Sequence, residues 1–156
     1  MQANLLSAMR ARRPSIRTRW VDLLRAEPVT TPLANPDTLV HLIDQTLDDV
    51  FAALAAMQEA DRIAAAAAVV ARAHCECGRN PLLAYFLAGE QALLEALVLA
   101  QVDTTGLTPT DRSTSVAALY VTVRTLARGE IESFCALCQH RTGKAPGSAG
   151  PGEPAT

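Results

Sequence analysis

Apolar positions recur at three- and four-residue spacing along most of this chain. Leu39/Val40, Ile43, Leu47, Val50/Phe51 and Leu54 form one stripe, opened by Asn35-Pro36. That period predicts an amphipathic helix with an asparagine cap and a proline in its first turn. Asn80-Pro81 repeats the signal ahead of a stripe of Leu83, Phe86/Leu87, Leu93/Leu94, Leu97 and Val98. Thr108-Pro109 repeats it again before Val116, Leu119/Tyr120, Val123, Leu126/Ala127, Ile131, Phe134 and Cys138. Two further segments complete the pattern. One opens at Pro14 and runs through Trp20, Leu23 and Leu24 to about Ala26, preceded by a short frayed helix. The other is an alanine run from about Asp61 to His74, set off by "QEADR" and stopped by Gly78. "EPVTTPLANP" and "VDTTGL" read as connections.

The expected fold is therefore all-α: a single antiparallel bundle of four or five helices over residues 1–141. Residues 142–156, rich in Gly, Pro, Ser and Ala, are expected to be a disordered tail. Composition supports this reading, because 49% of residues are hydrophobic but only 4% aromatic. An aliphatic core rich in alanine and leucine favours helices. A length of 156 residues suits one domain.

A formal charge of −2 argues against nucleic acid or an acidic membrane surface as partner. No uninterrupted apolar run reaches the roughly 18 residues that span a bilayer, and the first twenty residues lack a secretory pattern. These features give a cytoplasmic expectation, in which cysteines are reduced, redox-active or metal-bound rather than locked in disulfides.

The four cysteines carry the candidate chemistry. Cys75 and Cys77 follow the alanine helix in "HCECGRNP", and Cys135 and Cys138 lie near the end of the last helix in "CALCQH". If the last three helices run up, down and up, both pairs finish at one pole of the bundle. Cysteines three apart on a helix share a face, so Cys135 and Cys138 can reach one ion. Together the pairs make a four-thiolate set suited to tetrahedral zinc, with an iron–sulfur cluster second. His74 and His140 are alternate ligands or hydrogen-bond donors to the ligands. Cys135 and Cys138 sit at a helix C-terminus, where the dipole disfavours a reactive thiolate and attracts a cation. Two alternatives stay open: a metal-free thiol switch, and an interaction module or homodimer whose cysteines only pack.

Other candidates weigh less. Glu90 falls on the apolar stripe of its helix, where an unpaired carboxylate is costly, so it is a candidate ligand or polar sensor group, or more simply the ion-pair partner of an arginine such as Arg124 or Arg128. His41, Asp44 and Asp48 share a helix face opposite the apolar stripe, which reads as solvated. The cluster Arg10, Arg12, Arg13, Arg17, Arg19 and Arg25 can dock an acidic partner or, as a lesser alternative, nucleic acid, or simply face water. No Glu-x-x-His pair, phosphate loop or nucleophile elbow occurs, so no enzyme is expected.

Residues 13–54, with Trp20, "DLLRAEP", a proline-bearing loop and a second amphipathic helix, resemble the helical N-terminal sensor domains of RsbR-type stressosome regulators. The resemblance implies a sensory or regulatory helical module with a protein partner. It transfers no site residue.

Overall fold

The computed structural model describes residues 1–26, 35–57 and 80–137. Six α-helices run through them: α1 Ala3–Ala11, α2 Arg13–Ala26, α3 Pro36–Leu39, α4 Ile43–Ala56, α5 Pro81–Asp103 and α6 Pro109–Leu137. A 3-10 turn, Val40–Leu42, joins α3 to α4. No strand occurs among the described residues. The fold class is all-α, a helical bundle. The alanine helix expected over residues 61–74, the Gly78 stop and the tail beyond residue 141 lie outside the described residues.

All three cap-and-proline signals mark helix starts. Asn35 Oδ1 accepts from Asp37 N at 3.0 Å, and Asn80 Oδ1 accepts from Leu82 N at 3.0 Å. Thr108 and Asp111 cap each other: Thr108 Oγ1 accepts from Asp111 N at 3.1 Å, and Asp111 Oδ2 accepts from Thr108 N at 2.9 Å. Each cap satisfies donors that a helix start leaves without partners. Gly106, with φ of +79°, supplies the left-handed residue that turns the chain between α5 and α6.

Side-chain contacts fix the helix directions. Arg19 binds Glu95 and Arg12 binds Asp103, so α2 runs antiparallel to α5. Arg13 reaches Asp48 while Arg17 reaches Asp44, so α2 is antiparallel to α4 as well. Consequently α4 and α5 run parallel. Asn80 touches Ile131 and Cys135 while Glu90 meets Arg124, which makes α5 and α6 antiparallel. The start of α5 and the end of α6 thus share one pole, and the end of α4 lies at the other. Trp20, Ile43, Leu47, Leu54, Tyr85, Leu93, Leu97 and Leu119 fill the space between the four long helices.

Three sequence expectations need correction. The residues before Pro14 are not a frayed helix: α1 packs on α4 and α5, and Leu5 and Met9 are fully buried. Burial of roughly 1.5–3 kcal/mol per large apolar side chain outweighs the weakness of a nine-residue helix. The stripe opened by Pro36 is one run in sequence, but its backbone tightens at Val40–Leu42 before continuing as α4.

The third correction concerns α5, whose stripe does not include Leu87 and Val98, 47% and 54% exposed. The buried face is Tyr85/Phe86, Gly89, Ala92/Leu93, Ala96/Leu97 and Ala100. Small residues win these positions because they let α2 and α6 approach closely, leaving some larger ones outside. By length and composition α5 is also the one helix among the described residues that could cross a membrane, and half of its most apolar window is buried in the bundle.

Candidate functional site

The pole where α5 starts and α6 ends is organised by one buried side chain. Asn80 is 4% exposed and uses both ends of its carboxamide. Its oxygen caps α5. Its Nδ2 donates to Ile131 O at 3.2 Å and to Cys135 Sγ at 3.4 Å. Asparagine stands here because this cap must face a neighbouring helix rather than water. A serine would supply the acceptor but a single O–H in place of the two N–H donors that reach Ile131 and Cys135. Cys135 is half-buried against the core, one turn beyond Ile131.

Of the six candidate ligands, Cys135 alone lies among the described residues. Cys75, Cys77, Cys138, His74 and His140 lie outside them. Among the described residues no group of three or more His, Cys, Asp or Glu side chains is arranged to hold a metal ion. The described residues do bring together Asn80, three positions after Cys77, and Cys135, three positions before Cys138.

Between α5 and α6, next to this pole, lies a groove of about 130 Å³ lined by Leu83, Phe86, Leu87, Val123, Ala127 and Ile131. Glu90 and Arg124 close one side of it. The Arg124 Nε–Glu90 Oε2 distance is 2.8 Å and Nη2–Oε1 is 3.2 Å, a bidentate pair. The guanidinium also lies 4.5 Å from the centre of the Tyr120 ring. Hydrogen bonding to Glu90 holds Arg124 above its ordinary pKa. The carboxylate on the apolar stripe is thus an ion-pair partner, as its position in the sequence suggested.

The remaining polar clusters are engaged within the fold. His41, Asp44 and Asp48 are exposed, and both aspartates bind arginines of α2. Arg12, Arg13, Arg17, Arg19 and Arg25 each pair with a carboxylate of another helix. Arg10 donates to Phe51 O, so every arginine of the cluster makes a contact between helices.

Sequence reasoning missed one feature of the core. Trp20 Nε1 donates to Tyr85 O at 2.9 Å, and the indole lies over Gly89. A glycine inside a long helix costs about 1 kcal/mol against alanine, a cost that signals close approach by another group. Comparison with family models, with curated proteins and with solved structures finds no match for this chain.

Proposed function

We propose that this chain is a small helical regulatory or sensory module whose cysteine-bearing pole holds a metal ion. Cys75, Cys77, Cys135 and Cys138 are the ligands, with His74 and His140 as alternates. Zinc is the first choice and an iron–sulfur cluster the second. The supporting observation is the contact of Asn80 Nδ2 with Cys135 Sγ at 3.4 Å. Three residues of chain span at most about 11 Å, so covalent geometry holds Cys77 within that distance of Asn80. Cys138 is tied equally closely to Cys135. The contact between Cys135 and this sequence neighbour of the other pair is what supports a shared ion. The site is assigned no catalytic role, and its signal would pass to a protein partner or a second copy.

Protein purified anaerobically should contain one metal equivalent per chain by elemental analysis. A colourless protein with zinc supports the first choice; a brown one with iron and sulfide supports the second. Metal-free protein with four titratable thiols overturns the proposal, and reversible oxidation of those thiols would then favour the redox switch.

A further inference from the structure

We infer that Asn80 is a positioning residue that couples the state of the Cys135 sulfur to the start of α5. This deepens the metal-site reading and rests on it for its biological use. One buried carboxamide holds the α5 cap, the Ile131 carbonyl and the Cys135 sulfur at 3.0, 3.2 and 3.4 Å. Its two ends cannot move independently: turning the amine away from sulfur turns the oxygen away from Leu82 N. A metal ion at this pole would be held by the Cys135 sulfur, which would keep a lone pair for the Asn80 donor. A sulfur whose lone pair stays open to Nδ2 keeps the Asn80 carboxamide in place and with it the first turn of α5. A sulfur that becomes bulky and neutral does the reverse. The state of the Cys135 sulfur is thus felt at the start of α5, the helix that packs on both α2 and α6.

The test uses the full chain with Cys75, Cys77 and Cys138 replaced by Ser, so that Cys135 alone reacts. Methyl methanethiosulfonate converts its thiolate to the methyl disulfide, with methanesulfinate as leaving group. Amide exchange of Leu82 and Leu83 should then accelerate about three- to tenfold, the equivalent of one hydrogen bond. Asn80→Asp, ionised, keeps an N-cap oxygen but has no donor for the sulfur, and in that background the modification should leave both rates unchanged. Asn80→Ser, with a single hydroxyl proton on a shorter side chain, should reduce the acceleration and provides the comparison should the aspartate variant fold poorly. Equal acceleration with and without the Asn80 donor overturns the inference, as does no acceleration in the parent. The metal reading is judged separately, by metal content of the four-cysteine chain, so either can fail alone.

Discussion

Gly89 and Trp20 form the tightest junction between α2 and α5. A Cβ at position 89 would lie 2.1 Å from Trp20 Cζ2, and the indole is fully buried with nowhere to retreat. Gly89→Ala should therefore cost at least about 1–3 kcal/mol through overpacking, despite alanine's better helix propensity. Thermal unfolding of the variant checks this; a Tm at or above that of the parent would refute it. Next to this junction, Tyr85 Oη and Thr46 Oγ1 are 2.7 Å apart, and Thr46 Oγ1 donates to Leu42 O. The Thr46 proton is committed to that carbonyl, so Tyr85 donates. Burial pushes the Tyr85 hydroxyl well above its ordinary pKa. The folded state then keeps a proton that the unfolded chain releases above about pH 10, and stability falls as pH rises past that point. Tyr85→Phe should lose about 1 kcal/mol at neutral pH and show a shallower alkaline decline, measured by denaturant titration at pH 7 and 10.5.

At the scale of elements, helix ends were the most legible feature of the sequence. Asn35-Pro36, Asn80-Pro81 and Thr108-Pro109 each combine an acceptor for orphan amides with a residue that needs no hydrogen-bonded amide of its own. Both requirements are local. Thr108→Ala should therefore cost about 1 kcal/mol, read by thermal unfolding, because it removes one half of the reciprocal cap with Asp111.

What periodicity could not reveal was which apolar residues stay outside. Along α5 apolar side chains occur nearly all round the helix, so the buried face was chosen by Trp20 reaching Gly89 and by Glu90 reaching Arg124. Nor could the sequence pair the arginines of α2 with carboxylates 12 to 76 residues away. The hydrogen bond from Arg13 lowers the pKa of Asp48, and those from Arg19 and Gln91 lower that of Glu95. A depressed carboxylate contributes stability above its unfolded pKa and loses it as pH falls through the folded value. The acid limb of the stability curve should thus begin near pH 4, and Arg19→Gln should flatten it. An unchanged acid limb in that variant would mean this exposed pair contributes nothing measurable.

For the molecule as a whole, the decisive quantity is where chain ends fall. α4 and α5 run parallel, so Met57 and Asn80 belong to opposite poles. The described part of α6 ends beside Asn80. The expectation that both cysteine pairs approach one end was a statement about helix direction, and direction is set by contacts such as Arg19 with Glu95 and Asn80 with Ile131. Distances between the four sulfurs were never legible, because neither spacing nor periodicity measures separation across a bundle. A metal held at that pole would join two stretches of chain separated by about sixty residues, so its release should be felt by the entire fold. A ligand that binds only the folded state stabilises it by about 2.7 kcal/mol at a hundredfold excess over Kd. Chelation should then lower Tm by several degrees, and added zinc should restore it. The same treatment of a Cys135→Ser variant should move Tm far less. A Tm indifferent to chelator in protein shown to contain metal would place the ion away from this pole.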